Sequence, residues 1–179
     1  ANVTIRYHHG LMAPTNAAFQ SFINEYIKIP SGWGSFAGAP DNIKLIIANT
    51  YMSQNTIYPT DFEKGFYNGE ADIVTLDEAD IIEKKFGSNS TFIGLKKAIV
   101  PRAFKSVTGP VYLQRGYTKV MYAIEQSGLL SALKRQNEDY MFYVENDANT
   151  ARDSTLIYNT TTERFSTFAL FPGGFMQYG

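Results

Sequence analysis

The chain has no cysteine, two histidines and one tryptophan among 179 residues. Without cysteine, disulfide staples, thiolate metal sites and a cysteine nucleophile are excluded within it, while the compartment stays open. The only histidines, His8 and His9, are adjacent; on a strand they point to opposite faces and cannot share a metal. A turn or loop role is the simpler reading for both. No run of about 18 apolar residues occurs, the length a membrane-crossing helix needs. Ala1-Asn2-Val3-Thr4 has none of the basic, apolar and small-residue zones of a secretory leader. Neither sign of charge dominates: 16 basic and 17 acidic side chains leave a net charge of -1, which is no footprint for a nucleic-acid backbone. A Gly-x-Ser-x-Gly elbow, a Gly-x-Gly-x-x-Gly turn and a phosphate loop are all missing, so no cofactor is expected and enzymatic function finds no support. The richest acidic stretch, Glu70, Asp72, Asp77, Glu78 and Asp80, lacks the Asp-x-Asp-x-Asp-Gly spacing of a calcium loop and reads as a solvated face.

What is abundant is apolar and aromatic surface. Hydrophobic residues make up 44%, with 13 Phe and 12 Tyr, enough to bury a core and too much for a disordered chain. Length alone allows one large domain or parts of two.

Val3, Ile5 and Tyr7 alternate with polar residues as in a half-buried strand, with a turn expected at His8-His9-Gly10. Leu11-Met12-Ala13 forms a second apolar stretch ending at Pro14. Thr15 and Asn16 then predict a helix start, because Phe19, Phe22, Ile23, Tyr26 and Ile27 share one helical face. The turn-rich residues 30–40 are expected to be a loop, and Ile43, Leu45, Ile46 and Ile47 a buried segment. An Asn-Gly turn at Asn68-Gly69 precedes Ile73-Val74-Leu76, and Phe92-Ile93-Leu95 and Ile99-Val100 read as strands. Val111-Tyr112-Leu113 is expected to be a strand, and Val120, Met121 and Ile124 a helix ended by Gly128. Leu129, Leu130 and Leu133 predict a second short helix, Tyr140 to Val144 a buried strand, and Leu156-Ile157-Tyr158 another.

One internal repeat stands out. Leu11-Met12-Ala13-Pro14-Thr15-Asn16-Ala17 and Phe142-Tyr143-Val144-Glu145-Asn146-Asp147-Ala148, 131 residues on, share an outline of strand, polar elbow and Ala. Leu11 to Phe19, with Ala13, Pro14, Thr15, Asn16 and Phe19, resembles the first signature of the fasciclin domain, and Asn146 and Asp147 stand in the same slots of the second copy. Asn89 to Ile93 with Ile99-Val100-Pro101 is similar to the strand pair that closes such domains. Tyr117 to Leu133 resembles the opening helices of a following one. Two slots depart from the pattern: Glu145 replaces the usual proline, and Asn49-Thr50 replaces the usual Tyr-His or Asn-His. In this register the first copy lacks its opening helices and the second its closing half.

The resemblance, over about residues 8–165, implies an α+β fold: a wedge of two packed β-sheets flanked by short helices, in tandem, with a first module over residues 1–109 and the start of a second over 110–179. It implies a non-enzymatic, extracytoplasmic surface module for adhesion or protein assembly, lipid-anchored at the cell surface or outer membrane by a segment outside this sequence. A lipobox cysteine upstream and a completed second repeat downstream are the matching expectations. The expected partner is another surface or outer-membrane protein. The alternative is a glycan-binding accessory lipoprotein of an outer-membrane nutrient-uptake complex. Trp33 and Phe36, in the Gly-rich loop, are the candidate contact residues; the blander alternative is that they fold back as a lid on the core. An unrecognised hydrolase would require Asp72, Asp77 or Asp80 to meet a histidine. Asn2-Val3-Thr4, Asn89-Ser90-Thr91 and Asn159-Thr160-Thr161 fit an N-linked acceptor pattern and Asp153-Ser154-Thr155 an O-linked one, triplets that chance often supplies in a chain rich in Asn and Thr.

Overall fold

The computed structural model describes residues 8–135, 138–150, 156–159, 164–171 and 174–178, and of residues 149–179 the backbone alone. The expected strand at Val3, Ile5 and Tyr7, the triplets Asn2-Val3-Thr4 and Asp153-Ser154-Thr155, and Thr160-Thr161 lie outside them. The fold is mixed α+β and divides into two compact units, Ala1–Arg102 and Ala103–Gly179. This division precedes the expected 109/110 boundary. Just past the division, Thr108 Oγ1 donates to the Ala103 carbonyl at 2.9 Å.

The first unit is built on a four-stranded sheet in the order β2-β1-β6-β5, with β1 His9–Pro14, β2 Met52–Ser53, β5 Ile81–Phe86 and β6 Ser90–Leu95. β1 and β6 are parallel, in register from His9 opposite Ser90 to Pro14 opposite Leu95. β2 and β5 pair antiparallel on the two outer sides, β5 with a bulge between Ile81 and Glu83. Of the turn expected at His8-His9-Gly10, His9 and Gly10 are therefore strand. Gly10 makes this arrangement fit, since a Cβ there would lie 2.5 Å from the Ile57 side chain.

Thr15 ends the strand and starts helix α1, Asn16–Phe22; its Oγ1 accepts from the Ala18 amide at 3.2 Å, satisfying one of the first-turn donors. The helix continues as a π-helical turn, Ile23–Ile27, closed by the Lys28 amide on the Ile23 carbonyl. Of the predicted apolar face, Phe22, Ile23 and Ile27 are buried and Phe19 and Tyr26 half-buried. Residues 30–40 form the expected loop, and Asp41–Thr50 is helix α2. Ile43, Ile46 and Ile47 face the core, but Leu45 is 59% exposed, because a helix cannot turn four such closely spaced residues inward. Thr50 is buried and donates to the Ile46 carbonyl at 2.8 Å. A short helix α3, Asp61–Lys64, leads into the hairpin of β3, Phe66–Tyr67, and β4, Ile73–Val74, around the predicted Asn-Gly turn. Ile99 and Val100 form no strand: they come after the end of β6, and the Ile99 carbonyl accepts from the Tyr51 hydroxyl at 3.1 Å.

The core of this unit is made of Met12, Thr91, Ile93 and Leu95 on the inner face of the sheet, with Phe22, Ile23 and Ile27, Ile43, Ile46 and Ile47, Ile57 and Phe62, all buried. Thr91 is fully buried, and its hydroxyl has no hydrogen-bond partner among the described residues. A buried hydroxyl without a partner has lost its water for nothing. Thr91→Val, of the same shape, is expected to raise stability by about 1 kcal/mol in urea denaturation; a loss would mean that the hydroxyl is satisfied.

Helix α4, Arg102–Lys105, begins on the last residue of the first unit; the second unit continues with α5, Gly109–Leu113, then α6, Thr118–Ser127, and α7, Leu130–Leu133. The strand expected at Val111 to Leu113 is thus a helix: Pro110 sits in its first turn, where proline's fixed φ and missing amide suit a helix start. α6 ends as expected at Gly128, left-handed at φ 68°. Met121 and Ile124 are buried on it. The strand expected at Tyr140 to Val144 is absent: these residues pair with nothing described, and Met141 is 79% exposed. A four-residue helix α8, Asp147–Thr150, comes next. β7, Leu156–Asn159, β8, Arg164–Phe171, and β9, Gly174–Tyr178, form an antiparallel sheet in chain order.

Candidate protein-interaction surface

Residues on a strand alternate between faces, and partners directly opposite in register share a face. With Met12 and Ile93 inward, Leu11 and Phe92 point out. Leu11 is opposite both Met52 and Phe92, and Phe92 is opposite Lys85, so one row, Met52-Leu11-Phe92-Lys85, crosses all four strands. Leu11 is 46% and Met52 48% exposed, with Phe92 half-buried between its neighbours. The next row runs Ala13-Gly94-Glu83. Gly94 has no side chain, and Ile82 of the bulge fills that space, its Cγ1 3.2 Å from where a Gly94 Cβ would stand; Ile82 is 52% exposed. The result is an apolar patch of Met52, Leu11, Phe92, Ala13 and Ile82, rimmed by Lys85, Glu83 and His9. An exposed contiguous apolar face with a charged rim is the composition of a protein contact surface.

The two candidate aromatics lie elsewhere. Phe36 packs edge-on against Phe19, ring centroids 5.7 Å apart, and Phe19 is stacked on Phe22 and edge-on to Tyr51. Trp33 is half-buried, its backbone amide donating to the Ile27 carbonyl at 3.0 Å. The loop thus folds back on α1. Along the same helix a shallow groove of about 280 Å³ is lined by Ser21, Phe22, Glu25, Tyr26, Lys96 and Lys97. Burial, then the charge and hydrogen bond of Glu25, push the Tyr26 phenol up. The two lysines are engaged, Lys96 with the Ala79 carbonyl at 2.8 Å and Lys97 with Asp80 at 3.0 Å.

Burial pushes the Tyr51 phenol up from the ordinary 10.0 to about 12. The fold therefore favours the protonated phenol. That contribution is complete below pH 10 and disappears as pH rises through about 12. The first unit is expected to lose stability over that interval, and Tyr51→Phe to flatten the loss. Absorbance at 295 nm should show one phenol titrating late; an unchanged alkaline slope in the variant would contradict this.

The acidic residues hold local structure. Asp77 caps a short turn through the Ala79 amide at 2.9 Å, Glu78 pairs with Lys84, and Glu70 accepts from Asn49 Nδ2 at 2.9 Å. Among the described residues no three His, Asp or Glu side chains are grouped to hold a metal, and no helix is long and apolar enough to cross a membrane.

The signature positions are structural. Ala13 and Pro14 end β1, and Thr15 and Asn16 start α1. At the matching positions 131 residues on, Asn146 Oδ1 accepts from the Ala148 amide at 3.0 Å, and the Asp147 carboxylate accepts from the Thr118 amide at 2.8 Å and the Lys119 amide at 3.2 Å, capping α6. The outward row was missed by sequence reasoning. Leu11 and Phe92 were legible as strand residues, but no signal told which strand face would be covered, and the two-residue β2 had no pattern to read.

No protein-family model matches the chain, and no curated protein matches it.

Proposed function

We propose that this chain is a non-enzymatic, extracytoplasmic surface module that binds another protein through the outward face of its four-stranded sheet, within a tandem fasciclin-like architecture anchored by a lipid outside these residues. The observation that carries the reading is the apolar row Met52-Leu11-Phe92 with Ile82 beside it: large apolar side chains left in water across adjacent strands are costly to keep without a partner. The fasciclin-like reading rests on the placement of its two segments, although of the strand pair it implies at the module's close only Ser90 to Ile93 is a strand and Ile99-Val100 is not. Leu11 to Pro14 and Ser90 to Ile93 are adjacent parallel strands, and the elbow between β1 and α1 is a capped helix start. The glycan-binding alternative drew on Trp33 and Phe36, and Phe36 is already engaged with Phe19.

The test is capture of a stable partner from solubilised cell envelope, compared with a Leu11→Glu/Phe92→Glu variant. Charges in the middle of the contact are expected to weaken capture at least about ten-fold, or about 1.4 kcal/mol, with the chain still folded by its thermal midpoint, since Leu11 is 46% exposed and Phe92 half-buried on the sheet's outer face. Unchanged capture, or a shift of Trp33 emission on adding polysaccharide with no partner recovered, would overturn the reading; the second result would favour the glycan alternative.

A further inference from the structure

Asn68-Gly69 is the one Asn-Gly pair in the chain. Such a pair can lose its side-chain amide without an enzyme, because glycine leaves the attacking backbone nitrogen uncrowded. Its part in the fold, the turn between β3 and β4, makes no use of that chemistry.

The fold holds both reacting groups still. The Gly69 amide donates to two carbonyls, Asn49 at 2.9 Å and Met52 at 2.8 Å. Asn49 is in the last turn of α2, where carbonyls lack a helical partner, so the hairpin turn is docked on the helix end. The Asn68 side-chain oxygen accepts from the Glu70 amide at 3.0 Å and the Asp72 amide at 2.9 Å. The backbone of Asn68 is engaged as well, its amide with the Asp72 carbonyl and its carbonyl with the Ala71 amide, each at 3.0 Å. Asn49 Nδ2 adds a clamp on the Glu70 carboxylate at 2.9 Å, and Asn68 is left only 6% exposed. Ala71 pulls the other way: it is held left-handed at φ 57°, a conformation that a residue with a Cβ abandons when the turn opens.

We infer that Asn68 is a site of spontaneous covalent modification, kept closed by the docked turn and exposed to reaction whenever the β3–β4 hairpin lifts from α2. Hydroxide then takes the Gly69 amide proton, and the nitrogen attacks Asn68 Cγ. The bond from Cγ to the side-chain nitrogen breaks and ammonia leaves, closing a five-membered succinimide. Water opens that ring at either carbonyl, giving aspartate or isoaspartate, so the net change is gain of one water and loss of one ammonia. In isoaspartate the main chain runs through the former side chain and is one atom longer. The docked turn has no space for that atom, since even a Cβ on Gly69 would lie 2.9 Å from the Asn49 carbonyl oxygen and 3.2 Å from its Cα. A transient opening is thereby made permanent.

The test follows the full chain, and a synthetic peptide of residues 64–74, by peptide-mapping mass spectrometry in one mildly alkaline buffer. Deamidation of Asn68 is expected to be at least about ten-fold slower in the folded chain than in the peptide or the urea-unfolded chain, because only the open turn reacts. Asn49→Ala removes the clamp on Glu70 and should raise the folded-state rate at least about three-fold, with Trp33 fluorescence showing that the chain is still folded. Equal rates in folded chain and peptide, or an unchanged rate in Asn49→Ala, would overturn the inference. Chain aged in urea and refolded should contain isoaspartate, detected by enzymatic methylation of its carboxylate. Amides of residues 68–72 in that product should exchange at least about ten-fold faster than in unaged chain. Asn68→Asp has the new charge on an unlengthened backbone and should keep their protection. Full protection in the isoaspartyl chain, or equal loss in Asn68→Asp, would overturn the role given to the added backbone atom. No partner enters these measurements, so their outcome is separate from that of the capture experiment.

Discussion

Ile93→Ala is expected to destabilise the first unit by about 2–5 kcal/mol, the range for truncating a fully buried branched side chain. Ile93 is at the centre of β6, flanked by Met12 of β1 and Lys84 of β5, and wholly inaccessible to water. Its neighbours are fixed on both sides by backbone ladders, so they cannot close in on the cavity, and the cost should fall in the upper part of that range. Trp33, the sole tryptophan, lies in the same unit and reports its unfolding in urea by fluorescence. Ile82→Ala is the control: the same deletion at a half-exposed site should cost no more than about 0.5 kcal/mol. Similar losses for both variants would mean that the sheet has been placed with the wrong face inward.

For the second unit, Gly109→Ala is expected to cost about 3 kcal/mol, a large effect for one methyl group. The added Cβ would stand 2.4 Å from the Phe104 carbonyl oxygen and 3.2 Å from its carbon. That carbonyl lies in a turn tied by Thr108 Oγ1 to the Ala103 carbonyl and by the Gly109 amide to the Ser106 carbonyl at 2.9 Å, so backing away breaks hydrogen bonds. Amide exchange in α5 and α6 should accelerate. A loss under about 0.5 kcal/mol would show that the turn yields and that glycine is incidental there.

How legible these features were in the sequence depended on the range of the interaction that decided them. α1 was readable because a capping threonine and five apolar residues at helical spacing are all local. Gly128 ended α6 for an equally local reason. Val111-Tyr112-Leu113 fits a strand or a helix, and what settles it is Gly109 seated against a carbonyl five residues earlier. Tyr140 to Val144 failed for a different reason: β-propensity describes how well a residue suits a sheet, and a sheet needs a neighbour that these residues do not have among those described. The interaction surface was the least legible feature, since a strand's two faces differ only by which one is covered, and Met52 joins it through pairing with a residue far back in the chain. The fasciclin resemblance directed attention to Ala13, Pro14, Thr15 and Asn16. Their part in the fold is to turn the chain from strand to helix, and of the four only Ala13 also belongs to the apolar surface.

The pairing of β1 with β6 also sets a schedule. Residues 9–14 must wait for residues 90–95 before their ladder can form. Bringing the ends of so long a loop together is entropically unfavourable and, for parallel strands, slow. On a ribosome, Leu11 and Met12 would therefore emerge well before their partner strand, and throughout that interval the nascent chain would offer an apolar segment to any chaperone or secretion factor that binds one.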